Sequence, residues 1–242
     1  MSAPAPNPVV APDHVHALLN RLHEESLTQE AALPSTYLSK PEGFDDLMRD
    51  KFIALDQDKC QFVYQLARAI GARNIAEIGT SFGVSTIYLA LAVGSNLDRF
   101  GGEGKVIATE KENTKAEKAR QHWKEAGDDL VTRHIDLREG DLLETLKNNV
   151  PQLDLVLIDS EFKSKLAIGI VYNRCLVWAP VALPALKLLE PKLRSGAVVI
   201  IDNSISSAAR YKELLGHLRS PTNGYTNLTL PYSKGLELCV KI

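Results

Sequence analysis

NIAEIGTSFGVSTIYLALAV, residues 74–93, contains an apolar strand, a short loop with Gly79 and Gly83, and a helix that begins directly after it. Glu77 lies inside the strand, two residues before the first glycine. A corner of this kind brings backbone N–H groups together at a helix N-terminus and keeps bulky side chains away, which suits a nucleotide. A plain tight turn between strand and helix would use the same two glycines, so the corner is read together with what surrounds it.

Outward from this corner, strand and helix patterns alternate. Residues 105–109, 131–137, 153–158 and 197–201 read as further strands. Helical segments follow at 113–126, 142–148, 180–189 and 205–218, and Gly127 closes the first of them. Residues 225–230 and 236–242 are strand-like and joined by a Pro-Tyr-Ser-Lys-Gly turn, an antiparallel hairpin. Five strand–helix units imply a parallel sheet with right-handed crossovers, and the hairpin would close one edge. Before the corner, residues 13–30 form an amphipathic helix through Val15, Leu18, Leu19 and Leu22. A second helix over 56–70 carries Phe62, Val63, Leu66 and Ala67 on one face and stops at Gly71. The expected organisation is a disordered tail over 1–12, rich in Pro and Ala, and an N-terminal helical region over 13–70 supplying lid and dimer contacts. A nucleotide-binding domain over 71–242 follows.

Length and composition suit one α/β domain: 242 residues, 45% hydrophobic and 24% charged. A net charge of −2, with Lys and Arg dispersed, speaks against nucleic acid or an anionic membrane as partner. Cys60, Cys175 and Cys239 are far apart and odd in number, which fits a reducing compartment and no metal cluster. No cationic-then-apolar leader and no run of about 18 apolar residues is present. The expectation is a soluble cytoplasmic protein.

The identity of the nucleotide turns on charge and glycine spacing. A dinucleotide site would read G-x-G-x-x-G so that the backbone can approach a pyrophosphate. Here the turn is Gly79-Thr80-Ser81-Phe82-Gly83, without the G-x-G step or the third glycine. Glu77 would add negative charge beside a diphosphate but suits a cationic ligand, such as the amino group or sulfonium of S-adenosylmethionine. Glu110 follows the second strand about 30 residues beyond Gly79, where an acidic group accepts ribose hydroxyls; otherwise it caps a charged helix. Asp141, after the third strand, would accept from an adenine amino group or act as an N-cap. Their joint order at the C-terminal ends of successive strands is the specific feature.

AEIGTSFGVSTIYLA, VIATEKE, REGDLLETL, LDLVLIDS, LLEPKLRSGAVVIIDN and LPYSKGLELCVKI, in this order, resemble the class I S-adenosylmethionine-dependent O-methyltransferases of small molecules, the catechol and caffeoyl-CoA group. The resemblance covers about residues 45–242. It implies a Rossmann-like seven-stranded methyltransferase fold, mostly parallel with a C-terminal antiparallel hairpin, and a homodimer for which the N-terminal helix is a natural contact. It also implies that Glu77, Gly79, Thr80, Ser81, Gly83 and Ser85 surround the methionine part of the cofactor. Glu110 then holds the ribose, Asp141 the adenine, and Asp159 borders the same site.

Asp159 after the fourth strand and Asp202-Asn203 after the fifth correspond to the Mg²⁺ ligands of metal-dependent relatives, a hard oxygen set for a divalent cation. Such an ion would orient a hydroxyl of the methyl acceptor and lower its pKa. One departure stands out. Those relatives carry a lysine three residues after the first Asp, where this chain has Phe162. Lys163 and Lys165 are near, and Lys163 together with Asp159 is the expected catalytic pair. A metal-independent N- or O-methyltransferase remains open, as do an NAD-dependent oxidoreductase and a non-catalytic cofactor-binding protein. The 160–180 segment, with Phe162, Tyr172 and Trp178, would roof an acceptor pocket or pack a helix or partner, and Tyr37 and Leu38 would complete the lid. His134, Met48 and Trp123 read as packing residues.

Overall fold

The computed structural model describes residues 6–32, 51–159 and 179–242. Expectations for Tyr37, Leu38, Met48, Phe162, Lys163, Lys165, Tyr172, Cys175 and Trp178 lie outside the described residues. Seven strands form one sheet: β1 (Ile75–Ile78), β2 (Val106–Glu110), β3 (Ile135–Glu139), β4 (Leu153–Ile158), β5 (Leu193–Asp202), β6 (Tyr225–Leu230) and β7 (Leu236–Lys241). Their order is β3-β2-β1-β4-β5-β7-β6. The first five are parallel, while β7 runs antiparallel to both β5 and β6. The helices are α1 (Asp13–Ala31), α2 (Gln57–Ala69), α3 (Val84–Phe100), α4 (Asn113–Ala126), α5 (Leu142–Thr145), α6 (Ala179–Leu189) and α7 (Lys212–Leu218). Among the described residues no helix is long and apolar enough to cross a membrane.

Strand alternation divides the interior into two layers. Ile75, Leu155, Leu157, Val198 and Ile200 face a core shared with α1, α2, α3 and α4. Ala76, Ile78, Val156, Ile158, Val199 and Ile201 face the other core, with α6 and α7. α3 is enclosed on nearly every side, from Val84 through Gly94, which explains its lack of charged residues there; the hydroxyls of Ser85, Thr86 and Tyr88 in this run are hydrogen-bonded. The N-terminal segment joins the first core: Val9 is buried, and Val10 N–H donates to the Tyr64 hydroxyl at 3.1 Å.

Several boundaries differ from the sequence reading. β3 begins at Ile135, because residues 132–134 form a 3-10 turn; His134 sits in that turn, buried, rather than in the strand. α5 ends at Thr145, where the Arg138 guanidinium takes the carbonyls of Thr145, Asn148 and Asn149. β5 starts early, at Leu193, with a register irregularity opposite Leu153–Leu155 that left-handed Gly196 accommodates. The last helix is confined to α7; residues 203–210 are turns in which Ser204, Ser206 and Ser207 compete poorly as helix formers. On α2 the fully buried positions are Lys59, Cys60, Val63, Tyr64 and Ala67, with Phe62 and Leu66 only partly covered.

α1 docks through a buried polar pair. His23 Nε2 lies 3.0 Å from the Tyr88 hydroxyl of α3. Burial holds the Tyr88 phenol protonated, so it donates to a neutral imidazole. Burial also lowers His23 from 6.5 to about 4, against an opposing pull from Asp56. Between those values the unfolded chain takes up a proton that the folded chain refuses, so the contribution is complete above pH 6.5 and is lost as pH falls towards 4. Denaturant titrations at pH 7 and pH 4 are expected to show that wild type loses about 3 kcal/mol more than His23→Gln over that interval. Equal losses would contradict this reading of the pair.

Candidate active site

The turn after β1 is built around the carboxylate of Glu77, which faces the first core and has no exposed surface. Three hydroxyls donate to it: Ser85 at 2.6 Å, Thr86 at 2.6 Å and Thr80 at 2.9 Å. Burial pushes the Glu77 carboxyl above the usual range, these three bonds pull it back, and nearby Glu110 pushes it up again. Glu77 thus meets Thr80, Ser85 and Thr86 beneath the turn and fixes the loop above it. Gly79, Ser81 and Gly83 all have positive φ, at 97°, 50° and 77°. The Trp123 indole N–H of α4 donates to the Gly83 carbonyl at 2.9 Å, a contact absent from the sequence reading, which assigned Trp123 to packing. Phe82 packs against Phe52 with tilted rings, 4.8 Å between ring centroids, and its carbonyl meets His122 Nδ1 at 2.9 Å.

Glu110 joins this turn to the end of β2. Its Oε2 accepts the Ser81 N–H at 2.8 Å, and its Oε1 accepts those of Lys111 and Glu112 at 2.9 and 2.8 Å. A carboxylate has about four lone-pair positions, so three backbone donors orient Glu110 and leave one further acceptor position. Burial raises its carboxyl, while the backbone N–H of Glu112, the charge of Lys115 and the other two N–H groups oppose that. Gly140, with φ 109°, donates to the Glu110 carbonyl at 2.9 Å and brings Asp141 alongside. Asp141 Oδ1 caps α5 through the Leu143 N–H at 2.9 Å, the alternative its sequence position had left open. Ser81, Glu110 and Gly140 thus meet at the C-terminal edge of β1–β3, the edge at which ligands of open parallel sheets bind.

Asp159 and Asp202 stand side by side one position beyond the Ile158–Ile201 pair of β4 and β5. The Asp159 N–H donates to the Ile78 carbonyl at 3.0 Å, which ties this corner to β1. Asn203 is buried in a left-handed conformation, φ 58°, and its amide donates to Asp202 Oδ2 at 2.6 Å. Among the described residues, the Ser204 hydroxyl next to it is buried without a hydrogen-bond partner.

Sequence reasoning missed Lys59. It is fully buried, and its ammonium lies 2.6 Å from Asp202 Oδ1 and 3.1 Å from Asp56 Oδ2. Burial works against its charge, but Asp202 and then Asp56 outweigh burial and raise its pKa. A signal was present in the spacing: Lys59, Val63 and Ala67 recur every four residues on the buried side of α2, so a cation sits in an apolar stripe.

The corner can be tested against the Mg²⁺ expected at Asp159, Asp202 and Asn203. Two carboxylates and an amide are suitable hard donors. The charge is not suitable. Both oxygens of Asp202 already accept hydrogen bonds, one from an ammonium that has no exposed surface. A divalent ion on Asp202 would stand within a few ångström of that fixed positive charge. The corner as built does not fit a resident divalent ion.

Residues 76–204, just over half of the chain, match the family model described as a methyltransferase domain. The chain belongs to this methyltransferase family. It is similar to a catechol O-methyltransferase of Mycobacterium tuberculosis, 32% identical over 154 residues, which is 63% of this chain and 58% of that protein. The matched part thus spans less than two thirds of that relative. Among solved structures it is similar to a cofactor-bound protein from MTB, with TM-score 0.65, 23% identity and 98% of each chain covered. It is also similar to the O-methyltransferase from Bacillus cereus in complex with SAH, with TM-score 0.58, 21% identity, and 91% of this chain and all of that one covered. At these identities the structures speak for the fold, and they agree with the seven-stranded sheet and its antiparallel end.

Proposed function

We propose that this methyltransferase moves a methyl group from S-adenosylmethionine to a hydroxyl oxygen of a small aromatic acceptor. The observation that carries the reading is Glu110: anchored by three backbone N–H groups, one of them from the β1 turn, it leaves a lone-pair position for a ribose hydroxyl. The missing pyrophosphate glycines and the buried carboxylate of Glu77 favour a sulfonium cofactor over a dinucleotide. The O-methyltransferases among its relatives support oxygen as the acceptor atom.

S-adenosylmethionine supplies a methyl group on sulfur, open to in-line displacement. The protein's own contribution is placement. Glu77 and Glu110 fix the loop and ribose ends of the crevice, and the ends of β4 and β5 define where the acceptor lies. Asp159 is assigned to receive the hydroxyl proton as the oxygen–carbon bond forms, with Lys163 as the second candidate. The test is incubation of the full chain with methyl-labelled S-adenosylmethionine and a panel of vicinal diphenols, monophenols and aromatic amines. Label on a phenolic oxygen, slowed at least about tenfold in Asp159→Asn, is the expected result. Label on amines alone would overturn the acceptor assignment.

A further inference from the structure

The proposed reading leaves one strongly placed group unused. Lys59 comes from the N-terminal helical region, not from the sheet, and reaches the end of β5 with no exposed surface. Its two anionic partners differ. Asp202 is as buried as the lysine, while the side chain of Asp56, at the start of α2, keeps 29% of its surface exposed. Asp202 in turn holds the amide of Asn203, so ammonium, carboxylate and amide form one chain of contacts, 2.6 Å at each step. A buried carboxylate without such a partner is costly, and so is a buried ammonium; each explains the presence of the other.

Resting on the reading that this corner borders the methyl acceptor, we propose that Lys59 is its resident cation: a positioning residue that fills, on Asp202, the electrostatic place of a divalent metal. Three carboxyl groups, Asp56, Asp159 and Asp202, surround this corner, and the Lys59 ammonium meets two of them, Asp202 at 2.6 Å and Asp56 at 3.1 Å. The ammonium holds the Asp202 carboxylate in one orientation, and through it the left-handed Asn203. Methyl transfer then needs no divalent ion, and α2 becomes part of the catalytic unit. The absence of lysine at position 162 is consistent with a site organised differently from the metal-dependent pattern.

The experiment uses the full chain, stripped of metal with EDTA, saturated with S-adenosylhomocysteine and titrated with Mn²⁺ by calorimetry and electron paramagnetic resonance. Wild type is expected to show no stoichiometric Mn²⁺ binding below about 1 mM. Lys59→Gln and Lys59→Met, which restore a full negative charge to the corner, are expected to bind Mn²⁺ at least about tenfold more tightly. Lys59→Arg keeps the charge and is expected to behave as wild type. A merely structural lysine would not produce tighter metal binding on removal. One equivalent of Mn²⁺ bound by wild type at micromolar concentration would overturn the proposal, as would variants that bind it no more tightly. The wild-type titration decides the matter even where neutral variants fail to fold. Saturation with S-adenosylhomocysteine is measured first, so failure of the cofactor reading is seen separately.

Discussion

Gly83→Ala is expected to destabilise the protein by about 3–5 kcal/mol and to weaken S-adenosylhomocysteine binding at least about tenfold. Two independent penalties add here. Gly83 has φ 77°, a conformation that costs an L-residue roughly 1–2 kcal/mol. An added Cβ would also meet Trp123 Cε2 at 2.8 Å and Ala119 Cβ at 2.9 Å, and Trp123 is itself fully buried. The indole has no room to retreat without losing its hydrogen bond to the Gly83 carbonyl. The strain therefore falls on the loop that runs from Gly79 to the N-terminus of α3. Urea unfolding and calorimetry measure the two effects. A second change that empties the space, Trp123→Leu in the Gly83→Ala background, is expected to return part of the packing loss but not the backbone term. Unchanged stability and affinity in Gly83→Ala would contradict the placement of α4 against the turn.

Glu77→Ala is the second large effect. It leaves the hydroxyls of Thr80, Ser85 and Thr86 without the carboxylate all three share, in a place water does not reach. Each unsatisfied buried group costs roughly 1–3 kcal/mol, and a total of about 4 kcal/mol is expected once some hydroxyls find new partners. Cofactor affinity is expected to fall with it, because these hydroxyls fix the loop and the first turn of α3. Glu77→Gln is the informative control. The amide keeps the shape and one acceptor oxygen, and hydroxyls can rotate to accept from its NH₂, so a loss of about 1–2 kcal/mol is expected. If alanine proved no worse than glutamine, Glu77 would not be the support of the turn.

Much of this was legible in the sequence because each βα unit carries its own signals. β1, β4 and the terminal hairpin are short apolar or alternating runs bounded by glycine, aspartate or proline, and their limits hold to within a residue. The positions of Glu77 inside β1, Glu110 at the end of β2 and Asp141 just after β3 followed from the same pattern. What each side chain touches did not. Glu77 reads as a ligand group in one dimension; only the fold shows three hydroxyls closing around it. Boundaries failed where tertiary contacts decide them: Arg138 collects the carbonyls that end α5, and the serines after Asn203 settle into turns. Lys59 was hidden for a related reason. A lysine on a helix is ordinarily exposed. Its partner Asp202 lies 143 residues away in sequence.

S-adenosylmethionine is proposed to bind at the C-terminal edge of β1 and β2 through Glu110. Calorimetric titration of the full chain with S-adenosylhomocysteine tests it most directly, alongside Glu110→Ala. One site of micromolar affinity in wild type is expected, weakened at least about tenfold in the variant by loss of the ribose contact and of the bond to Ser81. No binding by wild type at about 1 mM ligand, or equal affinity in the two proteins, would contradict it.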